Sequence, residues 1–153
     1  MAATTYRAYA LALLGIAALA SCGKKEEPRT PSYPVYLTAK LQTERYRPLL
    51  SPVATVAVTS PSTQQEALGY GGILLVHGWY QGQYFAYDLS CPYENKTDIR
   101  ITADSHEARC ATCGTTYDIF GGQGNPLDGI GNTGLRRYRV DYNPTLQTLS
   151  VSN

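Results

Sequence analysis

Apolar residues in this chain recur in short runs, and no helical spacing persists for more than a turn or two along its main part. Alternating or continuous apolar stretches occupy 35–41, 53–59, 72–77, 84–88, 99–102, 115–119, 138–142 and 147–151. Gly, Pro and Asn clusters separate them, such as Ser60-Pro61-Ser62, the 79–83 segment, the 121–126 segment and Asn143-Pro144. Each stretch predicts a strand. Eight short strands at this spacing predict an all-β fold, a small antiparallel β-sandwich or barrel. In 138–142, Tyr138, Val140 and Tyr142 alternate with Arg139 and Asp141, which predicts a half-exposed strand. No internal repeat is visible.

Residues 6–20 are a different kind of run, continuous and with Arg7 as the positive charge near its start. About 13 apolar residues fall short of the roughly 20 that a membrane-spanning helix needs. The run closes in Leu19-Ala20-Ser21-Cys22, small residues before a cysteine. This resembles the lipobox of bacterial lipoproteins. The resemblance implies a signal peptide over 1–21, removed so that Cys22 becomes the acylated first residue. An ordinary signal or a short anchor helix is the alternative. Residues 22–33, with Lys24, Lys25, Glu26, Glu27 and Pro28, have nothing to bury and read as a flexible tether. The acidic pair after Cys22 is similar to the surface-export signal of Bacteroidota lipoproteins. The expected location is the bacterial cell envelope, lipid-anchored to the outer membrane and periplasmic or surface-exposed. The β domain then spans 34–153.

Composition narrows the function. Lys and Arg number 13 against 12 Asp and Glu, for a formal charge of +1. That balance argues against a nucleic-acid partner, which needs a dense basic face. Arg136, Arg137 and Arg139 read as a solvated strand edge that discourages edge pairing, with an anion site as the lesser reading. Gly121-Gly122-Gln123-Gly124 lacks the following helix that a phosphate cradle requires, and reads as a loop. Two histidines without a supporting motif offer no hydrolase machinery, and the carboxylates are scattered singly. A carrier or binding module is expected rather than an enzyme. Thirteen Tyr against two Phe suits strands with wet, half-buried faces.

The cysteines carry the chemistry. Of four, Cys22 goes to the lipid anchor, leaving Cys91, Cys110 and Cys113 to the fold and removing the even count that two disulfides need. Cys91-Pro92-Tyr93 follows a predicted strand, and Cys110-Ala111-Thr112-Cys113-Gly114 precedes another. Two loops of this kind can pinch a metal centre, because backbone amides fold over the sulfurs and Gly permits the tight turn. A Cys-x-x-Cys can also lower a thiol pKa, but redox motifs of that kind open a helix, and here a Gly and a strand follow.

The segment 68–153 resembles the Rieske iron–sulphur domain. The likeness rests on the strand 84–88, then Cys91-Pro92-Tyr93, then Cys110-Ala111-Thr112-Cys113-Gly114 with Tyr117-Asp118, a Gly- and Pro-bearing third loop, and a final hairpin. It implies a Rieske-type β fold with two cysteine loops at one end. It places Cys91 and Cys110 at the family's cysteine positions. Tyr93 and Cys113 stand where the family has its two histidines. Thr115 and Tyr117 match positions whose hydroxyls hydrogen-bond to cluster or cysteine sulfur. Gly129-Ile130 replaces the usual Gly-Pro.

Three readings of the site follow. In the first, a 2Fe–2S cluster is ligated by Cys91, Cys110, Cys113 and Tyr93, with a potential lowered by thiolate and phenolate and an electron-transfer role with an unnamed redox partner. In the second, zinc is held by the three cysteines and a fourth donor, with His106 the nearest histidine and His77 less suited. In the third there is no metal, and Cys91 is joined to Cys110 or Cys113 in a binding or scaffold module. A chain exported unfolded cannot carry a cluster built inside the cell, and the segment around Arg7 lacks a twin-arginine pair. The whole-domain resemblance favours the first.

Overall fold

The computed structural model describes residues 30–104 and 106–153; the segment expected to be a signal peptide and most of the expected tether, with Cys22, lie outside them. Eleven strands are present among the described residues, with a 3-10 turn at Arg47–Leu50 as the helical element. They are β1 (Val35–Lys40), β2 (Thr55–Val58), β3 (Ala67–Leu68), β4 (Ile73–His77), β5 (Tyr84–Asp88), β6 (Ile101–Asp104), β7 (Glu107–Cys110), β8 (Thr116–Tyr117), β9 (Pro126–Asp128), β10 (Arg137–Asn143) and β11 (Thr148–Ser152). Seven form a nearly closed, barrel-like antiparallel sheet in the order β2-β4-β5-β10-β11-β1-β3. The other four form a small sheet, β6-β7-β8-β9. The all-β class and the barrel or sandwich character are those the pattern predicts.

Period-two alternation decides which side chains enter which layer. In β1, Val35, Leu37 and Ala39 are buried while Tyr36, Thr38 and Lys40 face out. Pairing with β11 sets Leu37 opposite Val151 and Ala39 opposite Leu149, so both strands feed the same core. β4 departs from simple alternation, since all five of its residues are buried. Ile73 and Leu75 enter the barrel core with Leu37, Leu49, Val58 and Ala86. Leu74 and Val76 point the other way, into a second core with Tyr87, Leu89, Ile101, Tyr117, Ile119 and Leu135. A strand covered on both faces becomes a continuous apolar run. Truncating any of these leucines to alanine removes roughly 2–5 kcal/mol.

The structure adds strands that the pattern did not predict: β7, β3 and β9. β6 begins two residues later than the predicted 99–102 strand and runs into a hairpin with β7, pairing Ile101 with Cys110 and Asp104 with Glu107. The predicted 115–119 strand shortens to β8, because Asp118 Oδ1 accepts from the amides of Phe120 (3.0 Å) and Gly121 (2.8 Å) and turns the chain. The predicted 53–59 strand shortens to β2, with Val53 in the left-handed region at φ 60° and its amide bonded to the His77 carbonyl.

Candidate metal centre

Cys91 lies in the connection from β5 to β6. Its amide donates to the Ile99 carbonyl (3.0 Å), and its own carbonyl accepts from Asn95 (2.9 Å), closing a turn over 91–95. Asn95 sits at φ 51°, a conformation asparagine tolerates better than most residues. The base of this loop is pinned by Asp88 at the end of β5. Its carboxylate accepts from Ser90 (2.7 Å), Tyr70 (2.8 Å) and Gly71 (3.0 Å) amides and from the Tyr138 hydroxyl (2.5 Å).

Cys110 ends β7 and Cys113 occupies the turn into β8. The Gly114 amide donates to the Cys110 carbonyl (2.9 Å) and the Cys110 amide to the Thr115 carbonyl (2.9 Å), so the turn is closed at its neck. Gly114 takes φ 75°, which only glycine adopts without strain. A third loop packs over this turn: the Gly131 amide donates to Thr115 Oγ1 (2.9 Å), and a Cβ on Gly129 would stand 2.5 Å from the Thr115 Cα.

These elements bring the three sulfurs within 4.8 Å of one another. Cys91 Sγ and Cys113 Sγ are 3.6 Å apart, and all three cysteines are free thiols. Cys91 and Cys110 are wholly buried members of the second core, whereas Cys113 is partly exposed and packs against it. The Tyr117 hydroxyl lies 3.6 Å from Cys91 Sγ, and Cys113 Sγ lies 3.2 Å from Thr115 Oγ1. Burial holds the Tyr117 phenol above its ordinary value, with the Cys91 contact adding to it, so it keeps its proton.

The sulfurs are electrostatically unlike. Burial pushes the Cys91 thiol up to about 11, although the amides of Glu94 and Tyr93 and the Tyr117 hydroxyl pull the other way. At Cys113 burial also works upward, but the Thr115 hydroxyl and amide, with the neighbouring sulfurs, outweigh it and hold the thiol below its ordinary value. A cation entering the pocket would displace the remaining protons and meet three soft donors, the set preferred by zinc, iron and other thiophilic metals.

The other residues singled out in the sequence fall in various places. Thr115 and Tyr117 touch cysteine sulfur. Tyr93 is 42% exposed, while its amide serves the Cys91 sulfur. His106 sits at the tip of the β6–β7 hairpin, stacked on Trp79 at 5.5 Å and 25°, outside the group of converging ligand atoms. Four residues of strand separate it from Cys110, roughly 14 Å. His77 is buried at the end of β4 with Nδ1 2.8 Å from the Leu49 carbonyl. The arginines are occupied locally: Arg136 donates to the Thr30 carbonyl, Arg137 to Gln123 Oε1, and Arg139 pairs with Asp141. Asp88 and the Gly131 amide escaped sequence reading. The Gly-rich stretch 69–72, whose amides Asp88 collects, was the available signal for the first.

No family model matches the chain, and no curated protein is significantly similar to it.

Proposed function

We propose that this protein is a metal-binding module whose centre is one thiophilic ion held by Cys91, Cys110 and Cys113. The convergence of three sulfurs within 4.8 Å carries this reading. A tetrahedral ion with metal–sulfur bonds of about 2.3 Å sets its sulfurs roughly 3.8 Å apart. The 3.6 Å between Cys91 and Cys113 matches that edge. The fourth position falls to a water, a partner ligand or the Tyr93 phenol. His106 would have to leave its stack on Trp79 to reach it.

A 2Fe–2S electron-transfer centre of Rieske-like type is the second reading. It is favoured by the Tyr117 and Thr115 hydroxyls standing against Cys91 and Cys113 sulfur, as the resemblance implies. Against it, a two-iron cluster carries its terminal ligands on separate irons and spreads them more widely than a single ion does. In either reading we place the module in the bacterial cell envelope, tethered to the outer membrane through lipidated Cys22. The lipobox-like Leu19-Ala20-Ser21-Cys22 supports that placement.

Metal analysis of protein purified without chelator, combined with its visible spectrum, tests the proposal. One zinc or iron per chain is expected, lost in a Cys91→Ala/Cys110→Ala double variant. Two irons per chain with intense visible absorption would instead select the cluster. A metal-free, colourless protein that takes up neither zinc nor iron on reconstitution would overturn both.

A further inference from the structure

The three cysteines differ in access and in the element that carries them. Cys113 is partly exposed, while Cys91 and Cys110 are wholly buried. A solute that attacks thiols therefore meets Cys113 first. The Cys113 sulfur is already 3.6 Å from that of Cys91, against about 2.05 Å in a disulfide, so closure requires a shift of about 1.5 Å. Cys113 belongs to the turn between β7 and β8 and lies in neither strand. Cys110, by contrast, belongs to β7, where it pairs with Ile101 and its amide is bonded to the Thr115 carbonyl.

We propose that Cys113 is an oxidant-reactive cysteine whose reaction with a hydroperoxide ends in a disulfide to Cys91, leaving Cys110 as a free thiol. The assignment concerns the same sulfur cluster as the metal reading but does not require a metal to be bound. In the first step the Cys113 sulfur attacks a peroxide oxygen and the O–O bond breaks. The departing oxygen takes up the thiol proton and leaves as water or an alcohol, and Cys113 becomes a sulfenic acid. The Cys91 sulfur then attacks the Cys113 sulfur, the S–O bond breaks, and water departs with the Cys91 proton. Two thiols together lose two electrons and one hydroperoxide is reduced. Because the disulfide consumes two of the three sulfurs, oxidation and metal ligation exclude one another. The pocket then works as a redox-gated metal site.

The test uses the full chain, stripped of metal with a chelator and treated with one equivalent of hydrogen peroxide. The products are alkylated and mapped by non-reducing peptide mass spectrometry. A Cys91–Cys113 cross-link with alkylated Cys110 is expected. Cys113→Ser should slow thiol loss at least tenfold, and Cys91→Ser should leave a dimedone-trappable sulfenic acid on Cys113. A Cys110–Cys113 or Cys91–Cys110 cross-link, first labelling at Cys91, or no disulfide at all would overturn the proposal. The wild-type map needs no variant and so does not depend on how the substitutions fold. One equivalent of zinc added before peroxide should slow thiol loss at least tenfold. An unchanged rate with the same cross-link would count against the metal reading and leave the disulfide assignment standing.

Discussion

The Tyr138 hydroxyl donates to Asp88 Oδ2 at 2.5 Å, joining β10 to the end of β5 three residues before Cys91. Both residues are buried, and burial followed by the Asp88 contact holds the Tyr138 phenol above its ordinary value, so it remains a donor. Removing this donor leaves the carboxylate one partner short in a dry site. Tyr138→Phe should lower unfolding free energy by about 1–3 kcal/mol. Asp88→Asn should cost at least as much, because an amide NH2 would then face the backbone N–H donors of Tyr70, Gly71 and Ser90. Urea unfolding with an unchanged m value is the check. A loss under 0.3 kcal/mol in both variants would mean the network is solvated.

Thr115 serves two partners through one oxygen, accepting from the Gly131 amide and contacting Cys113 sulfur. Thr115→Val keeps the shape and removes both contacts. Outer contacts of this kind typically tune metal affinity by 10–100-fold. A loss of that order is expected in zinc competition against a chromophoric chelator, with the far-ultraviolet spectrum unchanged. Wild-type affinity in the variant would show that the hydroxyl does not act on the site.

The raised Cys91 value makes the metal-free protein sensitive to alkali. A folded-state value above the ordinary 9 means the native state holds this proton more tightly than the unfolded chain does. The stability it contributes is full below about pH 9 and is lost as pH rises through about 11. Urea midpoints between pH 8 and 11 should fall more steeply for wild type than for Cys91→Ala. Metal must expel the same proton, so apparent affinity should climb with pH over that range. Parallel pH profiles in the two proteins would argue against a raised Cys91.

His106 stacks on Trp79, the chain's single tryptophan, which also meets Phe120 at 5.6 Å. His106→Ala should shift Trp79 emission and leave metal stoichiometry and affinity little changed, since His106 stacks on Trp79 and stands outside the converging ligand atoms. A tenfold loss of zinc affinity would instead make His106 the fourth ligand.

What the sequence made legible follows from where the information resides. β1, β4, β5 and β11 were readable because their apolar residues alternate or run continuously, which is a property of the strand itself. β7 was not, because Glu107 and Arg109 face outward and leave Ala108 and Cys110 as its buried positions. β3 and β9 have two and three residues, and exist through pairing with β1 and β8. Likewise the cysteine spacing exposed the three sulfurs, whereas Asp88 gains its meaning from Tyr138, fifty residues further along the chain. The Gly131 amide serves Thr115 through a turn no local pattern encodes.

β4 has a consequence for how the molecule comes apart. Its odd residues close the barrel and its even ones close the layer that carries the cysteines. Neither layer can melt without stripping one face of the strand that the other still needs. The two sheets should therefore lose structure in one transition, with the amides of β4 among the last to exchange with solvent. The cysteine loops in this way draw their rigidity from the whole domain, although one of them joins two strands of its smaller sheet.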